Sequence, residues 1–282
     1  MITLYPTSGL SNRMRVIDSA ISFSEKNDVE IKILWVRNSE LNCPFTKLFK
    51  AIESTGITFY DLPFLPFKYR LLYKEKYFLN KFSKMVLFDK VVFFRECERL
   101  IQENYNFENL IKYKKVFLSS WSRFYPNALM YKLFHPIDEL KERIEDRTQN
   151  FSVNTIGVHI RRNDNRESIF YSPTELFVKL MKEEININNE TNFYLASDSV
   201  VVKQELIREF KDRIITVCED TERNSIKGIQ AALVDIYSLS RTKKILGSYF
   251  SSFSETAAHI SGIELKTIKV HPRQPSASLS TI

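Results

Sequence analysis

From Thr155 onward, apolar runs of strand length alternate with segments of helical period. That alternation restricts the fold more than any other feature of the 282-residue chain. IGVHI (156–160) reads as a fully buried strand, and Ser172-Pro173-Thr174-Glu175 reads as a helix start, with proline early and a carboxylate in the first turn. A helix over 175–185 is followed by a strand at 192–196, a helix at 200–210, a strand at 214–217, a helix at 227–240 and a strand at 244–246. The chain opens the same way. ITLY (2–5) is a strand, a loop runs from Pro6 to Arg13, Met14, Ile17, Ala20, Ile21 and Phe23 recur at helical spacing, and Ile31–Val36 is the next strand. Strands that alternate with helices predict an α/β protein with mostly parallel sheets.

The join falls near 136–154, where DELKERIEDR (138–147) is charged and TQNFSVN behind it is polar. The expected organisation is an N-terminal domain over 1–145, a C-terminal domain over 146–271 and a loose tail over 272–282. With 44% hydrophobic residues, a disordered chain is excluded as the main state. No apolar run approaches the roughly 18 residues of a membrane span, and MITLYPTSGL does not read as a signal peptide. Cys43, Cys97 and Cys218 are odd in number and far apart, so neither a disulfide framework nor a zinc site is expected, and a cytoplasmic protein is.

Glycine is scarce, and its six positions cannot form G-x-x-x-x-G-K or G-x-G-x-x-G. No two aspartates lie two apart, so a D-x-D pair for a divalent metal on a sugar nucleotide is missing. His135, His159, His259 and His271 have no metal-ligand spacing. No metal and no cofactor are expected.

Six of the seven net positive charges fall within residues 1–150. They are densest at 68–90, where seven basic residues face only Glu75 and Asp89, interleaved with eight aromatics between Phe64 and Phe88. Such a stretch suits nucleic acid, an anionic membrane surface, or a core-covering helix with a wet face. Of the ligand-binding options we favour peripheral contact with a membrane, and expect no nucleic-acid partner.

Three segments carry chemistry. The strand Ile156–Ile160 contains His159 and ends in Arg161-Arg162-Asn163-Asp164, at the carboxyl end where ligands bind in open α/β sheets. Guanidinium groups grip phosphate without a metal; a structural ion pair between Arg161 and Asp164 is the competing reading. Further on, Asp235 lies on an otherwise apolar helix face. A buried carboxylate needs donors, which a base such as guanine offers. After the strand at 244–246, GSYFSSFS (247–254) supplies five hydroxyls just before an alanine-rich helix. That is a phosphate cradle or, at Ser254, an ordinary N-cap. The third segment, Ser8-Gly9-Leu10-Ser11-Asn12-Arg13, is either a close-approach loop or a plain strand-to-helix turn.

Together these segments resemble the fucosyltransferase superfamily of α1,2- and α1,6-fucosyltransferases, nodulation fucosyltransferases and protein O-fucosyltransferases, as a short bacterial-type member. HIRRND (159–164) is similar to its H-x-R-R-x-D motif, FYLASD (193–198) to its second, and DIYSLS (235–240) with SSFS (251–254) to its third. GLSNR (9–13) resembles its N-terminal glycine loop, and LSSWSRFY (118–125) an aromatic loop of some bacterial members. The resemblance implies a GT-B fold, two Rossmann-like domains with a cleft between them. The N-terminal domain is then the acceptor side, and the C-terminal one holds the donor. It implies inverting, metal-independent transfer of fucose from GDP-fucose to a hydroxyl of a glycan or lipid-linked oligosaccharide in polysaccharide biosynthesis. Arg161 would bind the β-phosphate, His159 and Asp235 guanine, and Ser251 and Ser252 phosphate. Arg162, Asp164, Asp198, Gly9, Asn12 and Arg13 complete the donor set, and Glu167 is the candidate base. Some relatives carry a second aspartate where this chain has Ser199. Another GDP-sugar donor is the nearest alternative; a non-catalytic module binding anionic membrane or nucleic acid is the other.

Overall fold

The computed structural model describes residues 1–73, 87–126, 130–163, 165–218 and 222–270. The chain begins β1 (Ile2–Pro6), α1 (Leu10–Asn27), β2 (Ile31–Val36), β3 (Ile57–Leu62), α2 (Phe67–Arg70), β4 (Lys90–Val92), α3 (Phe94–Gln102), β5 (Val116–Ser120) and α4 (Asp138–Thr148). It continues β6 (Thr155–Ile160), α5 (Arg166–Tyr171), α6 (Thr174–Ile187), β7 (Asn192–Ser197), α7 (Val200–Phe210), β8 (Ile214–Ile215), α8 (Ile226–Leu239), β9 (Lys244–Ser248), α9 (Ser252–Ser261) and β10 (Glu264–Ile268). Among the described residues these form two compact units, 1–147 with 222–237, and 148–218 with 238–270.

The first unit holds a five-stranded sheet in the order β3-β2-β1-β5-β4, and every neighbouring pair is parallel. The chain steps outward from β1 to β3, then returns on the other side, so the order reverses between β1 and β5. Helix α1 is buried on several sides: Met14, Ile17 and Ile21 are apolar, while Asp18 and Ser19 are polar and just as deep. The polar set has partners. Arg15 Nε donates to the Trp121 carbonyl (2.8 Å), Ser19 Oγ to the Tyr125 carbonyl (2.8 Å), and Asp18 Oδ1 accepts from the Tyr131 amide (2.9 Å). Positions 15, 18 and 19 share one helix face, which fastens the segment after β5.

The second unit repeats the plan with the order β10-β9-β6-β7-β8, again all parallel. Here the order reverses between β6 and β9. All six residues of β6 are buried, as expected of a central strand covered on both faces. Its core joins Val158, Ile160, Phe193, Leu195 and Leu246 to Phe177 and Met181 of α6 and to Val202, Leu206 and Phe210 of α7. Each such side chain contributes about 1.5–3 kcal/mol by leaving water. The spacing explains the helices: Phe177 and Met181 lie four apart, as do Val202, Leu206 and Phe210, so each helix turns one stripe inward. Ser199 caps α7 through the Val202 amide, and Gly262 ends α9 in the left-handed region at φ 66°.

Most of the basic, aromatic stretch, residues 74–86, lies outside the described residues, as does the tail expected at 272–282. Strand β8 is two residues long where the periodicity predicts four. No helix among the described residues is long and apolar enough to cross a membrane.

Candidate functional site

The strand order reverses between β6 and β9, and sheets of this kind bind ligands at the carboxyl ends of the strands at such a reversal. The chemistry-bearing residues of the second unit collect there. Ser248, the last residue of β9, joins the two strand ends. Its Oγ accepts from the Arg161 amide (3.1 Å) and donates to the His159 carbonyl (3.3 Å). Arg161 therefore leaves the sheet at a fixed point, with its side chain partly exposed.

The neighbouring Arg162 has a different position. Its Nη1 donates to the Arg161 carbonyl (2.8 Å), its Nη2 to the Ser172 carbonyl (2.8 Å) and Thr174 Oγ1 (2.9 Å), and its Nε to Thr174 Oγ1 (3.3 Å). The whole guanidinium is committed to the loop between β6 and α6. Asp198, just past β7, completes that loop: its carboxylate accepts from the amides of Arg162 (2.7 Å) and Asn163 (3.2 Å). Arg162 and Asp198 shape the backbone that presents Arg161. Asp164 lies outside the described residues.

His159 is buried, and its ring stacks on Phe253 of α9 at 4.5 Å between centroids and 17° between planes. Burial, with the nearby Arg161 and Arg162 cations, pushes its pKa down to about 3. The imidazole is neutral at physiological pH, with one nitrogen able to donate and the other to accept. Its Nδ1 is buried without a hydrogen-bond partner among the described residues. A bound molecule with a matching polar group would satisfy that atom.

The low pKa has a measurable consequence. As pH falls below 6.5 the unfolded chain takes up a proton at His159, and the folded protein does not until about pH 3. Stability contributed by the neutral imidazole is present above pH 6.5 and lost progressively between pH 6.5 and 3. His159→Asn should flatten urea-denaturation stability across that window; an unchanged pH slope would contradict the buried neutral state.

Helix α9 starts immediately beside these groups. The expectation that Ser254 is its N-cap is corrected: Ser251 is the N-cap, and Ser254 lies inside the first turn with its Oγ on the Ser251 carbonyl (3.3 Å). The Ser251 side chain makes no capping bond. The first amides of a helix have no intrahelical acceptor, and with the helix dipole they favour an anion. Gly247 makes the close packing possible, because a Cβ there would stand 2.6 Å from Ser254 Oγ and 2.7 Å from its Cβ.

The turn before α9 is held from below. Asn165 Nδ2 donates to the Phe250 carbonyl (2.8 Å), Ser168 Oγ to the Tyr249 carbonyl (2.7 Å), and the Tyr249 amide to Ser172 Oγ (2.8 Å). Phe253, Asn165, Ser168 and Ser172 carried no functional assignment in the sequence. The N-cap pattern of Asn165, whose Oδ1 accepts from the Ser168 amide (3.0 Å), was the available signal. Glu167 is exposed on the first turn of α5.

The remaining residues of the expected donor set belong to the first unit. Gly9 is the N-cap of α1, and Asn12 Nδ2 donates to Ser8 Oγ (2.9 Å). Arg13 is fully buried. Its Nε donates to the Ser8 carbonyl (2.8 Å), Nη1 to the Val36 carbonyl (2.6 Å) and Nη2 to Asn38 Oδ1 (3.0 Å), with the guanidinium 5.2 Å above Trp35. Asp235 on α8 accepts from Arg147 Nη1 at 2.8 Å, and both side chains are largely buried.

The carboxyl ends of β6 and β9 thus combine a positioned arginine, a neutral stacked histidine and a helix N-terminus, a set suited to an aromatic nucleotide bearing a diphosphate. Among the described residues no cluster of three or more metal-ligating side chains occurs.

No protein-family model matches the sequence, and comparison with curated proteins finds no match. Solved structures do match. The NodZ alpha-1,6-fucosyltransferase soaked with GDP-fucose is 18% identical, with a TM-score of 0.63 over 92% of each chain. The fucosyltransferase NodZ from Bradyrhizobium is 19% identical, with a TM-score of 0.61 over 91% of this chain and 92% of that one. POFUT1 in complex with GDP-fucose is 11% identical, with a TM-score of 0.56 over 95% and 98%. At these identities the likeness is one of fold: the chain has the GT-B-like α/β fold of these fucosyltransferases.

Proposed function

We propose that this chain is a glycosyltransferase that moves fucose from GDP-fucose to a hydroxyl of a glycan or lipid-linked oligosaccharide. One observation carries the reading: Arg161 and the N-terminus of α9 converge where the strand order reverses between β6 and β9. The fold shared with proteins soaked or in complex with GDP-fucose supports it.

In this reading the guanine ring lies near His159 and Phe253, and the diphosphate lies against Arg161 and the first turn of α9. The bond between fucosyl C1 and the β-phosphate oxygen breaks as the acceptor oxygen bonds C1 from the opposite face. The acceptor proton passes to a base, for which Glu167 is the candidate, and GDP leaves with the electron pair. Arg161, the α9 amides and the serine hydroxyls meet the growing negative charge without a metal. Groups already aimed at a developing charge are commonly the largest catalytic contribution.

Calorimetric titration with GDP, with and without chelator, tests the proposal. Saturable binding that survives chelator is expected; no binding would leave a non-catalytic module as the better account. The resemblance assigned Asp235 to the base, and in the structure it pairs with Arg147. Asp235→Asn should lower the melting temperature by breaking that pair. If the assignment holds, it should also shrink the preference for GDP over UDP in a competition assay. Lost stability with unchanged preference would leave Asp235 a structural partner of Arg147.

Contact with an anionic membrane belongs to the same proposal. Phe64 and Phe67 are about two-thirds exposed, and Lys68 Nζ lies 4.8 Å above the Tyr69 ring. Aromatic and basic groups side by side are what a charged lipid surface attracts. In vesicle flotation at low salt, recovery should be greater with anionic than neutral lipid, and equal recovery would remove the membrane from the proposal.

A further inference from the structure

The turn between β9 and α9 contains a feature that phosphate binding does not explain. Phe250 adopts φ 55°, the left-handed region, and its side chain is 69% exposed. A Cβ is penalised in that conformation, which is why glycine usually fills it. A lone exposed apolar side chain is unremarkable; one set on a strained backbone and mostly exposed is not. Asn165 fixes the Phe250 carbonyl, and Ser168 and Ser172 fix the residue before it. The adjacent Tyr249 ring is half-buried, with the Lys269 ammonium 4.0 Å from its centroid and the Tyr171 ring 5.3 Å away. Phe250 therefore rests its ring against Tyr249, 6.1 Å between centroids, and presents the rest of it to solvent from a fixed turn, one residue before the N-cap Ser251. Strain of this kind gathers where a ligand is held.

We propose that Phe250 is a specificity-determining residue that packs against the hexose of the donor and selects a sugar whose C6 is a methyl group. The inference rests on the proposed function. There the diphosphate lies on the first turn of α9, and the hexose is the next group along, bonded through C1 to the β-phosphate. A phenyl ring offers dispersion contact and no hydrogen bond. It suits the methyl of a 6-deoxyhexose and leaves a C6 hydroxyl, once desolvated, without a partner.

Two donors isolate this contact, because GDP-L-fucose and GDP-L-galactose differ only by the hydroxyl at C6. In calorimetry the parent protein should bind GDP-L-fucose roughly tenfold or more tightly than GDP-L-galactose, the range for a small apolar group in a pocket. Phe250→Gly, which removes the ring and relieves the backbone, should melt no lower than the parent and bind GDP equally well. Its preference between the two donors should fall to within about twofold, and Phe250→Leu, apolar and without a hydrogen-bonding group, should keep most of it. A parent without preference, or a Phe250→Gly protein that keeps it, overturns the inference. So does a Phe250→Gly protein whose affinity for GDP itself falls in proportion, because the ring would then be shaping the turn. If the parent binds no GDP at all, the proposed function fails instead, and the two failures are distinguishable.

Discussion

Arg161→Ala is expected to slow fucosyl transfer roughly 10²–10³-fold while melting at nearly the parent temperature, the order found for deleting one preorganised donor to a developing anion. The position supports both halves of that expectation. The backbone of Arg161 is fixed by Ser248, the loop around it is held by Arg162 and Asp198, and its side chain is partly exposed at the end of β6. Arg161→Lys keeps the charge but loses the planar two-pronged donor. It should retain much of the GDP affinity while kcat falls sharply. Initial rates, GDP titrations and melting curves on the two variants decide the matter. A folded Arg161→Ala protein with near-normal turnover would sink the role assigned to it.

Arg13 should behave in the opposite way. It is fully buried, and its guanidinium serves three acceptors, two of them backbone carbonyls. Burial lowers its pKa to about 10, which leaves it charged at neutral pH. Arg13→Ala leaves a cavity beside Trp35 and removes the donor from the Ser8 and Val36 carbonyls. The cost is on the order of 3–5 kcal/mol, from combined cavity and lost charged hydrogen bonds. Urea denaturation should show a lower midpoint, and the loss of activity should follow the loss of folded protein. Near-parental stability with selectively weakened GDP binding would instead make Arg13 a donor-binding residue. Arg161 and Arg13 are thus separated by which measurement moves first.

Strand and helix periodicity made much of the fold legible. β1, α1 and β2 are readable because apolar residues switch from a period of two to a period near four, and β6 because IGVHI is apolar throughout except for His159. Strands β3, β4 and β5 were not readable in the same way. β3 is an edge strand with half its side chains exposed, β4 has three residues, and β5 runs into the serines of LSSWS. Their strand state depends on pairing with chain far away in sequence, and no local pattern records that.

The site divides along the same line. The order of residues alone put His159, Arg161, Arg162 and Asp198 at strand ends and a serine-rich turn before a helix, because strand length and the alternation of elements fix which residues lie at a carboxyl edge. It also fixed their chemistry: guanidinium, imidazole, carboxylate and hydroxyl. Tertiary structure decided what each side chain meets. Arg162 turns back to Ser172 and Thr174, Arg13 is enclosed by Val36 and Asn38, and Asp235 lies on Arg147. It likewise placed 222–237 in the unit formed by 1–147, and started α9 at Ser252 behind the left-handed Phe250. An arginine or aspartate carries the same charge wherever it stands. Whether a carbonyl, an ion partner or a ligand answers that charge depends on partners brought in from 10 to 88 residues away, and only the folded chain brings them there.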